Sequence, residues 1–136
     1  MGASELERNK DVVRRQLAAM ERCDGPAQGA LMTEDVRWWV PQSAAGSAHI
    51  PRPLDGKAAV VQLLESAPSM FSEMHWTIDH LVAEGDVVVA AAHMQGRTVS
   101  GNDYLNQYVF VYRLVDGLIA EIWENLDTAY AFGRLA

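Results

Sequence analysis

From Ser72 onward the chain runs in long stretches of β-type residues, broken by two compact turn signals, Glu84-Gly85-Asp86 and Asp116-Gly117. Gly and Asp tolerate the backbone angles a tight reversal demands, so the two signals predict two antiparallel hairpins. The first half has a different texture. Ser4 and Glu7 read as a capping box, after which Leu6, Val13, Leu17 and Met20 share one helical face while Arg8, Lys10 and Arg15 face water. This spacing predicts a helix over Glu5 to Arg22. Asp24-Gly25-Pro26 stops it and starts a short helix through Leu31. Val36 to Val40 reads as a strand ending at Pro41, and residues 42–54, with no periodicity, read as a surface loop able to act as a lid. Asp55 caps a further helix in which Val60, Leu63, Leu64 and Ala67 form one buried stripe before Pro68 ends it. Helices followed by a meander of strands give an α+β fold, with the helices covering one face of a curved antiparallel sheet.

The 136 residues fit a single domain spanning 1–136, and the 49% hydrophobic content supplies a core without covalent staples. The single cysteine, Cys23, has no partner for an internal disulfide and points to a reducing, cytoplasmic location. Eleven Lys and Arg against 18 Asp and Glu give a net charge of −7, a surface that repels phosphate backbones, so no nucleic-acid partner is expected. No apolar run of about 18 residues is present to cross a membrane. A phosphate-cradling Gly-rich loop, a dinucleotide fingerprint, a nucleophile elbow and a paired-cysteine knuckle are all missing, and no His, Asp and Glu cluster has metal-ligand spacing. Neither a cofactor nor a metal is expected.

Register follows from the turns. Closing the first hairpin on Glu84-Gly85-Asp86 sets His80 opposite Ala90 and Thr77 opposite His93. Period-two alternation then gathers Met74, Trp76, Ile78, His80, Val82, Val88, Ala90, Ala92 and Met94 on one nearly apolar face, directed at the helices. The opposite face, with His75, Thr77, Asp79 and His93, is mixed and suits solvent or a second subunit. Closing the second hairpin on Asp116-Gly117 pairs Phe110 with Trp123, Tyr108 with Asn125, Asn106 with Asp127 and Tyr112 with Glu121, all on one face. Burying unpartnered polar groups costs on the order of 1–3 kcal/mol each. That face is therefore either exposed to solvent or the wall of a wet pocket, while Val109, Val111, Ile122 and Leu126 on the other face suit packing on another subunit.

The order of these elements carries a resemblance. Helix, short helix, Trp-rich strand ending in Pro, Gly-Lys helix, then hairpins with Ala83-Glu84-Gly85-Asp86 and the segment from Tyr108 to Ile119, closing on Trp123-Glu-Asn-Leu-Asp-Thr128, resemble the SnoaL-like branch of the nuclear transport factor 2 superfamily. Its relatives include ketosteroid isomerases, polyketide cyclases and limonene epoxide hydrolases. The resemblance implies a cone-shaped NTF2-like fold with a deep apolar pocket, and a homodimer built on the outer face of the sheet. It places Asn125 where cyclases and epoxide hydrolases of the family carry a catalytic aspartate, and Ala92, Met94 and Val40 near other catalytic positions of epoxide hydrolases and isomerases. The familiar catalytic residues of those relatives are thus absent.

Candidate chemistry rests on four residues. Tyr108 and Asn125 can donate hydrogen bonds to a carbonyl or developing oxyanion, and His80 or Asp127 can move a proton if burial tunes its pKa. Trp38, Trp39, Trp76, Phe110 and Trp123 supply aromatic surface for a flat ligand, with Met94, Asn106 and the loop residue His49 completing the substrate set. The expectation is a cofactor-independent enzyme acting on a small aromatic or polycyclic molecule by proton transfer, as isomerase, cyclase, lyase or dehydratase. A non-catalytic small-molecule-binding or dimeric assembly domain, or a cone filled by its own side chains, is the alternative.

Overall fold

The computed structural model describes residues 2–48 and 50–136, so His49 lies outside the described residues. The first helix, α1, spans Ala3–Glu21, two residues earlier than its polar pattern predicts; Gly2 occupies the cap position and no side chain closes a capping box. Helix α2 (Gly25–Gly29) starts as expected, with Asp24 accepting a hydrogen bond from the Ala27 backbone N–H at 3.0 Å and Pro26 in the first turn. Strand β1 covers Met32–Trp39, longer than the Trp-rich core of its sequence.

Residues 42–54 are more ordered than a loop. They contain helix α3 (Gln42–Ala48) and the two-residue strand β2 (Leu54–Asp55), which pairs antiparallel to β1. Helix α4 (Lys57–Glu65) is preceded by Gly56 at φ +94°, an angle that favours glycine, and Asp55 does not cap it. A short 3₁₀ turn at Ala67–Ser69 leads into strands β3 (Phe71–Glu84), β4 (Val87–Thr98), β5 (Asp103–Val115) and β6 (Leu118–Leu126), and helix α5 (Thr128–Leu135) follows.

The sheet order is β2-β1-β6-β5-β4-β3. All neighbours are antiparallel except β1 and β6, which run parallel. Helix α1 packs across β3, β4 and β6, and α4 lies against β1, so the helices cover the inner face of a curved, unclosed sheet. The core between them is built from Val13, Leu17, Val36, Val60, Val88, Phe110 and Ile122, all at most 2% exposed. It also encloses a polar chain: Tyr112 donates to Gln16 at 2.7 Å, and Gln16 donates to Gln28 at 2.9 Å. No helix among the described residues is long and apolar enough to cross a membrane.

The second turn forms as expected and the first closes on Gly85-Asp86 alone, with Glu84 paired to Val87, one residue tighter than closing on Glu84-Gly85-Asp86 predicts; each hairpin also carries a β-bulge that the turns do not announce. In the first, Thr77 faces His93 and Ile78 faces Ala92 as predicted; beyond the bulge at Asp79, His80 faces Ala91 and Leu81 faces Ala90. In the second, the Asp116-Gly117 turn closes with Val115 opposite Leu118 and Leu114 opposite Ile119, both turn residues having positive φ. An extra residue at Ala120 then sets Arg113 opposite Glu121 and shifts the rest of β6 by one. Because side chains alternate with period two, one inserted residue moves every side chain beyond it to the other face.

Candidate functional site

A cavity of about 230 Å³ opens between the inner face of the sheet and helices α3, α4 and α5. The strands contribute Trp38 from β1, Met74 and Trp76 from β3, Met94 from β4, Tyr104 and Tyr108 from β5, and Glu124 and Leu126 from β6. The helices close it with apolar side chains, among them Met20 from α1, Leu63 and Leu64 from α4, and Ala131, Phe132 and Leu135 from α5. Ser43 on α3 donates to Thr128 at the start of α5 at 2.9 Å, tying together two elements at the cavity margin.

Glu124 is the one carboxylate in this lining among the described residues, and the shifted register puts it there. It lies opposite Phe110, where the turn-set register would have put Trp123. Trp38 Nε1–H donates to its Oε1 at 3.1 Å, and Oε2 accepts no hydrogen bond from the described residues. Burial in this apolar wall pushes the Glu124 carboxyl up to about 7, with the Trp38 hydrogen bond pulling modestly the other way. A carboxyl group so placed changes charge near neutral pH, the condition under which it exchanges a proton most effectively.

Two phenols share the cavity. The Tyr104 and Tyr108 hydroxyls are 2.8 Å apart, and Asn106 Nδ2 donates to the Tyr104 hydroxyl at 2.9 Å and to the Asp127 carbonyl at 3.0 Å. With the Tyr104 hydroxyl oxygen accepting from Asn106, the arrangement in which Tyr104 donates its own hydrogen to Tyr108 leaves the Tyr108 O–H for a ligand. Burial raises both phenols above their ordinary range, and the Glu124 charge raises them further. They remain neutral donors at physiological pH. Behind them an aromatic wall holds the geometry: Trp76 meets Tyr108 edge-on at 4.7 Å and Phe110 at 5.6 Å, and Trp38 meets Phe110 edge-on at 6.3 Å.

Of the residues singled out in the sequence, Tyr108, Trp38, Trp76 and Met94 line the cavity. Asn106 stands behind it as the buried bridge described above, and Phe110 is fully buried as support for the wall. Asn125 is exposed on the outer face, opposite Val109, whose carbonyl accepts from its Nδ2 at 3.5 Å. Trp123 is on that outer face too, stacked on Trp39 with ring centroids 6.3 Å apart and planes within 4°. The Ala120 bulge accounts for both corrections, and for Ile122 and Leu126, which face inward rather than toward a second subunit.

His80 is exposed, turned outward by the Asp79 bulge, and Val82 with it at 60% exposure. Leu81 and Ala83 take their places against the core. Asp127 is exposed and caps α5, its Oδ1 accepting from the Tyr130 backbone N–H at 3.0 Å, so it does not reach into the cavity. His93 and Asp79 pair on the outer face at 2.8 Å. Glu124 is the residue that reading the turns alone passed over. A signal for it existed: sliding β6 by one residue exchanges an inward set containing Glu121, Asn125 and Asp127 for one containing Ile122, Glu124 and Leu126, which leaves far less polarity to bury.

The model for the SnoaL-like domain matches residues 13–122. No curated protein sequence matches the chain. Among solved structures, an NTF2-like protein of unknown function from Burkholderia pseudomallei K96243 superposes with a TM-score of 0.86 at 23% identity, covering 95% of this chain and 98% of that one. TerC, crystallised with polyporic acid, superposes with a TM-score of 0.83 at 19% identity, covering 94% and 98%. A candidate SnoaL-like polyketide cyclase from Jannaschia sp. CCS1 superposes with a TM-score of 0.82 at 16% identity, covering 95% and 92%.

Proposed function

The chain belongs to the SnoaL-like family, and we propose that it is a cofactor-independent enzyme that moves a proton on a small hydrophobic molecule, with Glu124 as the acid–base group. The observation that carries this reading is one carboxyl group, the only one among the described lining residues, in an otherwise apolar and aromatic cavity, held by Trp38 and desolvated so that burial pushes it up to about 7. A pocket serving only to bind an apolar ligand has no need of a desolvated carboxyl group, whereas a base operating near neutrality does. Tyr108 supplies the second function: its hydroxyl donates to an oxygen of the ligand and stabilises negative charge that develops there when the neighbouring carbon is deprotonated. One relative in fold, a candidate polyketide cyclase, supports this reading.

The cavity also limits size. About 230 Å³ is below the volume typical of sites for drug-sized ligands, and favours one- or two-ring molecules over larger polycycles. The test is exchange of α-protons of one- and two-ring ketones in D₂O, followed by NMR. Wild-type protein is expected to exchange them faster than buffer, with a rate that rises as pH passes through 7. Glu124→Gln abolishes the acceleration and Tyr108→Phe reduces it by about 10²-fold, the usual scale for one oxyanion donor. Equal rates for wild type and Glu124→Gln refute the assignment.

A further inference from the structure

The lining contains no Lys, Arg or His among the described residues. Among the described lining residues the only group able to carry charge near neutral pH is the Glu124 carboxyl, and the groups around that carboxyl are the indole of Trp38, which donates to it, and the rings of Trp76, Tyr104 and Tyr108 in the same wall. The remaining elements packed on the cavity, α1, α3, α4 and α5, present it with no titratable side chain. Beside the cavity, Arg52 is engaged elsewhere, its Nε donating to the Val40 carbonyl at 2.8 Å and its guanidinium 5.5 Å from the Trp39 ring centroid, and the acid Glu21 accepts the Trp76 backbone N–H at 2.7 Å from the exposed side. An organic acid entering this space would meet a like charge and, among the described lining residues, no counter-ion. A cation would meet a carboxylate and the negative faces of aromatic rings. The whole-chain charge of −7 draws it in the same direction.

We infer that the cavity takes its ligand as an organic cation, a ring-bearing ammonium whose charged nitrogen sits against Glu124 among the aromatic side chains. The inference rests on the reading of this cavity as the functional site and adds the charge class of the substrate. It also changes the energetics of the proton transfer. When the ionised carboxylate takes a carbon-bound proton from such a ligand, the ammonium keeps its charge and offsets the negative charge that moves from Glu124 to the ligand oxygen; a neutral ligand leaves that negative charge unpaired in a low-dielectric cavity.

Three one-ring probes of matched shape test this: benzylamine, benzyl alcohol and benzoate, titrated against the wild-type protein with tryptophan fluorescence as the readout, since Trp38 and Trp76 line the cavity. Benzylamine stays protonated between pH 5 and 8, so its affinity is expected to rise by about tenfold per pH unit up to the Glu124 pKa and then level off. Benzyl alcohol is expected to bind weakly with little pH dependence, and benzoate not to bind. Glu124→Gln is expected to remove the preference for the amine and its pH dependence. Benzyl alcohol binding as tightly as benzylamine, or benzoate binding better than either, overturns the charge class while leaving the cavity as the site. Failure of all three probes to bind overturns both readings. The wild-type pH series decides the matter even if the variant folds poorly.

Discussion

Replacing Glu124 by Gln should stabilise the protein above neutral pH, although it removes the residue on which the site depends. The substitution keeps an acceptor oxygen for Trp38 Nε1 and removes only the ability to ionise. In the unfolded chain Glu124 titrates near its ordinary 4.5; burial in the folded chain pushes it up to about 7. Below pH 4.5 both states hold the proton and the wild type pays no ionisation penalty. Between 4.5 and 7 the unfolded carboxyl has released its proton while the folded one retains it, so wild-type stability falls with rising pH; above 7 the loss is complete. A difference of about 2.5 pH units corresponds to roughly 3 kcal/mol at about 1.4 kcal/mol per unit, a large fraction of a typical 5–15 kcal/mol stability. Urea unfolding of both proteins at pH 4.5, 6, 7 and 8.5 measures it. The Gln variant should gain on the wild type by up to about 3 kcal/mol across that series, the other titrating groups cancelling in the difference. A stability difference that does not change with pH refutes the buried, destabilised carboxyl.

Other expectations follow from single contacts. Tyr108→Phe removes one hydrogen bond to Tyr104 and should cost only about 0.5–1.5 kcal/mol in urea unfolding, so a variant that loses ketone exchange while keeping most of its stability separates chemistry from folding. Trp38→Phe removes the one hydrogen bond that the Glu124 carboxyl accepts among the described residues and should raise the Glu124 pKa further, moving the pH dependence of exchange to higher pH. Gly96 faces the β3 backbone so closely that a methyl group would drive into the Glu73 carbonyl oxygen; Gly96→Ala should lose more than about 3 kcal/mol or fail to fold, read by circular dichroism and urea unfolding. Asn125→Asp, which would install the family's aspartate at that position, should leave exchange unchanged because the side chain is on the outer face.

The elements of the fold were legible because their signals are local. Asp24 and Pro26 start α2, Asp116-Gly117 closes the second hairpin, and the inward apolar set of β4 is Val88, Ala90, Ala92 and Met94, as alternation requires. The site was less legible because its composition depends on parity along two strands, and parity is reset by a single residue. Asp79 and Ala120 have no local signature of a bulge; what places them is the collective preference of Leu81, Ala83, Ile122 and Leu126 for the core over His80, Val82, Asn125 and Asp127. Tyr108 was found because β5 carries no bulge over its pairing with β4. The helix in residues 42–48 was missed for another reason: Ala, Gly and Ser give it no apolar stripe, and its formation depends on packing at the cavity margin through Ala44 and Ala45.

The central claim, that Glu124 is a cavity carboxyl group poised near neutrality, is tested most directly by NMR. Protein labelled with ¹³C at the glutamate side-chain carboxyl carbon is titrated from pH 3.5 to 9, with Glu124→Gln identifying the resonance. One carboxyl signal titrating near 7, absent from the variant, is the predicted result. A Glu124 signal that titrates with the exposed glutamates, near 4.5, would contradict the account and remove the basis for the proposed chemistry.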